Sequence, residues 1–267
     1  MYVGAINLIH NPNARGRAPR YVVTNPDGTQ IKPKGVTTIL GGTLSKDLMK
    51  WAVDSAMSYL KDKLPGITAG DLDIAAVEYM RLRDAGGATG TEAHALVEDF
   101  LKDRTVRADE ASPEAKLAYE AFVNWWSEQE NTEIVNVEEV IYSVEHQFAG
   151  TYDCLLKING KNYLCDLKTT NASRKAPEGV YAENFLQLGA YAHAHTEERN
   201  YEIQQTGSSK KVPIDGLMVI SAKKDGQLHI RTNEVIGLDV EQCGELFLRV
   251  VELNRFLSSA TTALGGK

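Results

Sequence analysis

Residues 148–170 read FAGTYDCLLKINGKNYLCDLKTT, and this segment indicates the central part of the fold. It contains two runs that are rich in leucine, aromatic and β-branched residues, separated by Asn159-Gly160, a dipeptide that favours tight hairpin turns. The pattern predicts one strand over Phe148–Ile158 and a second over 163–168. Because a hairpin pairs its strands, the start of the first strand and the end of the second are expected to lie side by side.

Three charged side chains fall in that region. Asp153 lies on the first strand, and Asp166 and Lys168 are near the end of the second. Residues i and i+2 of a strand project from the same face, so Asp166 and Lys168 are expected to be neighbours. Two carboxylates can hold a divalent cation for phosphodiester hydrolysis, and the ammonium can stabilise charge or orient water. The acid-x-Lys pattern is common, and taken alone it favours an exposed ion pair on an edge strand over a catalytic role.

The sequence around the hairpin predicts further strands and helices. Additional strands are expected over 134–142, 216–222 and 227–232, and helices over 180–197 and 239–257, with a frayed tail at 261–267. These elements indicate a mixed sheet that is flanked by helices.

The N-terminal half has mainly helical patterns. It is predicted to contain a hairpin of Tyr21–Thr24 and 29–31, a helix from an N-cap at Ser45 to Pro65-Gly66, a helix over 71–84 that ends before Gly86-Gly87, a helix from Thr89, and a helix from Ser112-Pro113 to Gln129. The fold class is therefore α/β (α+β), with a central mixed β-sheet and an N-terminal helical lobe. A single domain over 1–267 is expected, with a hairpin and helical lobe at 1–131 and a sheet core at 132–260.

Composition narrows the function classes. The chain is 43% hydrophobic, and no apolar run approaches the length of a membrane span, so an intracellular, cytoplasmic protein is expected. The three cysteines lack paired spacing and are interpreted as small buried residues. The net charge of −7 disfavours nucleic-acid binding overall, although residues 1–35 have a local excess of basic side chains: Arg15, Arg17, Arg20, Lys32 and Lys34 against Asp27.

Four motifs in order resemble a known family. They are Gly90-Thr-Glu-Ala-His94, Gly150-Thr-Tyr-Asp153, Asp166-Leu-Lys-Thr169 and Gln187-Leu-Gly-Ala-Tyr191. Together they resemble the RecB-like exonuclease branch of the PD-(D/E)XK nuclease superfamily, and the resemblance implies a restriction-endonuclease-like core. It covers about residues 88–195 in motifs.

The resemblance also implies roles for individual residues. It implies a metal held by His94, Asp153, Asp166 and the backbone carbonyl of Leu167, with Lys168 beside the attacking water. The expected ions are Mg²⁺ or Mn²⁺, one or two in number. Substrate contacts are expected from Gln187, Tyr191 and Thr169. The four cysteines that hold an iron-sulfur cluster in some RecB-like enzymes have no counterpart here, so no cluster is expected.

The expected function is that of a divalent-metal-dependent deoxyribonuclease, an exonuclease of compact phage type that acts in DNA recombination, repair or processing. DNA is the expected partner, and a recombination or single-strand-binding protein is a further candidate; no membrane partner is expected. Two alternatives stay open: a non-catalytic module that binds DNA or a protein on the same fold, and a restriction-type endonuclease.

Other polar residues have two interpretations each. Glu145 could add a carboxylate to the metal site or face solvent, and Glu98 could support His94 or be solvated. Arg174 and Lys175 could contact a DNA phosphate or belong to an ordinary polar loop. The basic segment at 15–34 could be a DNA-contacting arm or a solvated surface.

Overall fold

The computed structural model describes residues 7–11, 19–25, 27–44, 49–170 and 178–265. Several predicted features lie outside these residues: Arg15 and Arg17 of the basic segment, the N-cap at Ser45, and Arg174 and Lys175 after the second hairpin strand.

The described chain forms nine strands and six α-helices. The strands are β1 (Asn7–His10), β2 (Tyr21–Thr24), β3 (Gln30–Ile31), β4 (Lys34–Gly35), β5 (Thr132–Ser143), β6 (Phe148–Ile158), β7 (Lys161–Thr170), β8 (Gly216–Lys223) and β9 (Leu228–Thr232). The helices are α1 (Val36–Thr43), α2 (Met49–Lys61), α3 (Ala69–Leu101), α4 (Pro113–Ser127), α5 (Ala182–Thr206) and α6 (Val240–Ala263).

A mixed six-stranded sheet is the centre of the fold. Its main order is β4-β6-β7-β8-β9, and β5 also pairs with β6. The β6/β7 hairpin turns at Asn159-Gly160, and both of these residues have positive φ (51° and 81°), as such a turn requires. The predicted hairpin and the predicted fold class, a mixed sheet flanked by helices, are confirmed.

The pairing leaves part of one edge of β6 without a neighbouring strand. β5 pairs with β6 along its whole length, from Phe148 to Ile158. On the opposite edge, β7 pairs only with residues 154–158, and β4 pairs only with Phe148 and Ala149. Residues 150–153 therefore have no sheet partner on that edge within the described chain. We call this part the open edge of β6, and Asp153 lies on it.

Helices cover both faces of the sheet. On one face, α1, α5 and α6 bury a core that includes Phe148, Leu188 and Phe247. On the other face, α3 and α4 bury a second core around Phe122, Leu156 and Ile220. Alternation along β7 explains the division, because Leu164 faces the first core and Cys165 and Leu167 face the second.

Helices α5 and α6 approach each other closely at one glycine. A Cβ atom added to Gly189 would lie 2.4 Å from the backbone carbonyl carbon of Cys243 on α6. Only glycine fits at this crossing of α5 and α6. The three cysteines are buried and form no disulfide, in keeping with their predicted role as small buried residues.

The predicted helix break at Gly86-Gly87 is wrong. A single helix, α3, runs through both glycines from Ala69 to Leu101. Thr89 is not an N-cap, since its hydroxyl donates to the Ala85 carbonyl within the helix. Each interior glycine costs about 1 kcal/mol, and packing of α3 against α2 and α4 outweighs that cost.

The last two helices are longer than predicted. The tail predicted to fray at 261–267 is helical as far as Ala263, and α5 extends beyond 197 to Thr206. Strand β1, strand β4 and helix α1 were not predicted. No helix among the described residues is long and apolar enough to cross a membrane.

Candidate active site

The β6/β7 ladder ends where the charged residues begin. Its last pair is Cys154 with Cys165, and beyond it the two strands separate. Instead of a backbone partner, the amide of Leu167 donates to Oδ2 of Asp153 over 2.6 Å. The Asp153 carboxylate thus bridges the gap between the strands, and its position is set by the backbone of the Asp166-Leu167-Lys168 segment.

Asp166 and Lys168 project from the same face of β7, as predicted. Lys168 Nζ lies 2.6 Å from both carboxylate oxygens of Asp166 and donates a hydrogen bond to Oδ1. The Asp166 side chain is 3% exposed, and that of Lys168 is 27% exposed. A buried carboxylate is therefore paired with an ammonium that reaches solvent.

Burial and charge shift the pKa values of this pair in a consistent way. Burial raises the pKa of Asp166 to about 6; the Lys168 ammonium opposes this shift, and the Asp153 carboxylate adds to it. Burial alone would lower the pKa of Lys168, but Asp166 and Asp153 outweigh it and raise that pKa above its usual value. Lys168 is therefore a cation at neutral pH, and Asp166 is mostly ionised.

His94 reaches the site from α3, on the opposite face of the sheet. Its Nδ1 atom lies 3.7 Å from Oδ1 of Asp153. Glu98, one turn later on α3, instead pairs with Lys102 and Arg104 at 2.8 and 3.3 Å. Of these two residues of α3, only His94 points at Asp153, and His94 is the one that belongs to the Gly90–His94 motif.

Helix α5 completes the site from the other face. Gln187 Nε2 donates to Asp166 Oδ1 over 2.9 Å and to the hydroxyl of Tyr191 over 3.1 Å. Tyr191 is buried, and burial raises the pKa of its hydroxyl. Because the two residues are four apart on one helix, they form a single chain of contacts from Tyr191 through Gln187 to Asp166.

Two other candidates lie elsewhere. Thr169 is half-buried on β7 opposite Ala222, and alternation puts it on the opposite face from Lys168. Glu145 is largely exposed and lies 3.9 Å from His146 in the turn between β5 and β6, five residues before the open edge begins. The structure thus does not bring Glu145 to the carboxylates.

The structure adds one carboxylate that the motifs did not name. Glu138 stands opposite Asp153 in the β5/β6 register, between the pairs Val137–Cys154 and Glu139–Tyr152, and its φ is +55°. Burial raises its pKa to about 7, and the nearby carboxylates of Asp153 and Glu98 contribute. In the sequence, only the register of the β5/β6 hairpin could have indicated that Glu138 lies opposite Asp153. That register depends on the turn at 144–147.

Changing Glu138 to Gln is expected to stabilise the protein above neutral pH. The folded-state pKa of about 7 exceeds the ordinary 4.5, so the wild type loses stability as the pH rises through that window. Glutamine removes this loss, and the gain should be about 1–2 kcal/mol because the half-buried side chain is partly screened by water. Urea unfolding in EDTA at about pH 8 should show the gain, and unfolding at about pH 4 should show none. Equal effects at both pH values would contradict this account.

The ring of Tyr191 explains why position 150 is a glycine. A Cβ atom at Gly150 would lie 2.3 Å from Cε1 of the Tyr191 ring. Gly150→Ala should therefore lower the free energy of unfolding by about 1–3 kcal/mol and displace Tyr191 from Gln187.

Gly87→Ala is the control for this prediction. Gly87 lies inside α3 with open space around it, and alanine there should raise the free energy of unfolding by about 0.5–1 kcal/mol. Urea denaturation of both variants checks the pair, and an unchanged Gly150→Ala protein would contradict the packing argument.

The donor atoms suit a hard divalent cation. Within the described residues, no three His, Cys, Asp or Glu side chains are close enough to form a complete cage for a metal. Mg²⁺ is usually held by one or two carboxylates together with waters and substrate phosphates, so such a cage is not needed. Asp166 Oδ2 is buried, and it accepts no well-aligned hydrogen bond from the described residues despite its contact with Lys168. Asp153 and Asp166 could therefore hold one ion, with His94 beside them.

Comparisons with known proteins identify the superfamily to which the chain belongs. No curated protein sequence matches the chain. A solved structure titled "Crystal structure of SSO0001" is 12% identical, with a TM-score of 0.32, and the match covers 80% of this chain and 88% of that one. The family model described as the PD-(D/E)XK nuclease superfamily matches residues 75–234, a range that contains all four sequence motifs, and the protein belongs to that superfamily.

Proposed function

We propose that the protein is a divalent-metal-dependent DNA exonuclease with Asp153, Asp166 and Lys168 at its active centre. The observation that carries the proposal is the convergence of these three side chains where β6 and β7 separate, at the open edge of β6. Members of the superfamily are usually metal-dependent nucleases, and Mg²⁺ and Mn²⁺ are the ions that they typically use. The exonuclease assignment rests on the resemblance to the RecB-like branch.

Each residue has a defined part in the proposed reaction. Asp153 and Asp166 would hold the ion, with His94 and the Leu167 carbonyl as further ligands. When bound, a divalent ion supplies Lewis-acid stabilisation of the phosphate charge. Lys168 stays protonated, so its ammonium can orient the attacking water or neutralise charge that develops on the phosphate.

The residues behind the centre keep it in place. Gln187 holds the Asp166 carboxylate through Oδ1, and the buried Tyr191 fixes the Gln187 amide. The substrate contacts expected of Gln187 and Tyr191 would then be indirect, through Asp166. Thr169 lies on the other face of β7 from Lys168, close to the end of the strand. We propose that it contacts substrate that passes the end of the strand.

The same proposal covers the domain and the biological setting. We assign all 267 residues to one domain, because β4 of the N-terminal part enters the central sheet and α3 packs against it. The four motifs support a compact, phage-type RecB-like enzyme that acts in DNA recombination, repair or processing. A recombination or single-strand-binding protein is the proposed partner in that setting.

Incubation with matched circular and linear DNA tests the exonuclease assignment. Closed circular duplex DNA and the same DNA after linearisation are incubated with Mg²⁺, Mn²⁺ or EDTA. An exonuclease degrades the linear form from its ends and leaves the circle intact. Nicking or linearisation of the circle would replace the assignment with a restriction-type endonuclease. Intact DNA of both forms with either metal would favour a non-catalytic binding module.

A further inference from the structure

A basic cleft lies between the segment after β3 and helix α6. Its volume is ≈ 200 Å³, and its polar lining includes Lys32, Lys34, His146, Asn254 and Arg255. None of the described residues that line it is acidic. In a chain with a formal net charge of −7, the described lining of this cleft brings together three basic side chains and no carboxylate.

Two of the basic side chains of the cleft, Lys34 and Arg255, donate hydrogen bonds to neutral groups. Lys34 Nζ donates to Asn254 Oδ1 over 2.8 Å and to Ser258 Oγ over 3.2 Å. Arg255 Nη2 donates to the His146 carbonyl over 2.6 Å.

No carboxylate of the described residues lies within ion-pair distance of Lys32, Lys34 or Arg255. By contrast, Lys168 and Lys211 are both paired with carboxylates. Glu145 precedes His146 in the sequence, and its carboxylate lies 3.9 Å from the His146 ring. Within the described chain, these three basic side chains therefore have no ion-pair partner.

The cleft and the candidate active site lie along the same edge of β6. Lys34 of β4 pairs with Phe148 of β6. The same edge of β6 is paired with β7 only from Cys154 to Ile158. Asp153 is five residues further along β6, which corresponds to about 16 Å at 3.3 Å per residue. The cleft is therefore at one end of the open edge, and Asp153 and Lys168 are at the other.

We infer that this cleft binds a phosphate group of the DNA strand whose scissile bond lies at the active centre. Guanidinium and ammonium groups are the side chains that bind phosphate oxygens most strongly, and the cleft offers both around one cavity. The inference rests on the proposed function and deepens it: of the basic segment at 15–34, Lys32 and Lys34 act together with Arg255 of α6. The phosphate can be an internal diester or a terminal monoester.

Equilibrium binding of a short fluorescent oligonucleotide in EDTA tests the cleft without cleavage. The test variant is Lys32→Gln with Arg255→Gln, since both side chains are exposed and their loss should not affect folding. The control is Lys161→Gln with Arg249→Gln, which removes the same charge from the far end of the β6/β7 hairpin and an earlier turn of α6. Affinity is measured at several salt concentrations.

The test variant should bind about tenfold more weakly at low salt, and its plot of log affinity against log salt should be shallower by about 1–2. The control should bind like the wild type. Unchanged affinity and slope in the test variant, or an equal loss in the control, would overturn the inference. If the wild type cleaves DNA with metal while the test variant binds DNA as the wild type does, the inference that the cleft binds phosphate is overturned. The nuclease proposal is then unaffected.

The ends of the DNA separate the two phosphate sources. Oligonucleotides with a 5′-phosphate, a 3′-phosphate or only hydroxyl ends are compared with a circular single strand. A loss in the test variant that occurs only with a phosphorylated end identifies a terminal monoester. The same loss on all four substrates identifies an internal diester. A loss on none of them overturns the inference.

Discussion

Replacing Lys168 with alanine is expected to lower the rate of DNA cleavage about a thousandfold or more, while the protein still folds. Lys168 is the only ammonium that the described residues bring to Asp166, and its tip is the part of the pair that reaches solvent. Its loss removes the positive charge beside the phosphate and leaves Asp166 without an ion-pair partner. Single-turnover cleavage with saturating Mg²⁺ measures the effect, and circular dichroism verifies the fold.

Lys157→Ala is the matched control for this experiment. Lys157 lies on the neighbouring strand β6, and its side chain pairs with Glu133 at 3.5 Å on the surface. The control should cleave at the wild-type rate, because an exposed ion pair contributes little to stability or to the site. A folded Lys168→Ala protein with wild-type activity would remove Lys168 from the mechanism.

Replacing Asp166 with asparagine is expected to abolish cleavage and to weaken Mn²⁺ binding about a hundredfold or more. Even partners of metal ligands contribute about 10–100-fold to affinity, and a ligand should contribute more. Asparagine keeps the side-chain shape, and its carbonyl oxygen can still accept the Gln187 hydrogen bond. The charge is therefore the main thing that changes. Isothermal titration with Mn²⁺ gives a readout that is independent of activity.

Asp225→Asn provides the comparison for Asp166→Asn. Asp225 is in the turn between β8 and β9 and accepts the Gln227 amide over 3.1 Å, a bond that asparagine can also accept. Mn²⁺ affinity should be unchanged in this variant. Wild-type Mn²⁺ affinity in Asp166→Asn would show that the ion is held elsewhere.

Those parts of the site that depend on local sequence could be predicted. The Asn159-Gly160 turn is a local signal, and it brings Asp153 near Asp166 and Lys168. The spacing of Gln187 and Tyr191 is likewise local, because four residues make one turn of a helix. Both features follow from the backbone periods of strands and helices.

The rest depends on contacts between distant segments. Glu138 meets Asp153 only because of the register of β5 on β6, and one more residue in the turn at 144–147 would move it away. The reason for Gly150 is the ring of Tyr191, more than forty positions later in the chain. No local pattern in the sequence encodes either contact.

The helices show the same limit. Gly86-Gly87 is a strong local signal for a break, yet α3 continues because α2 and α4 pack along it. Strand β4 is two residues long and too short for any periodic pattern, although it borders the open edge of β6. Tertiary packing decided these elements, and it also decided where the basic cleft lies.

The metal dependence of DNA cleavage by the wild-type protein shows whether Asp153, Asp166 and Lys168 form a metal-dependent active centre. Labelled linear DNA is incubated with the protein in EDTA, and then with Mg²⁺ or Mn²⁺ in excess of the chelator. We expect no cleavage in EDTA, cleavage with either ion, and a rate at least about a thousandfold lower from Lys168→Ala under the same conditions. Cleavage that persists in EDTA, or a wild-type rate from Lys168→Ala, would contradict an active centre built from Asp153, Asp166 and Lys168.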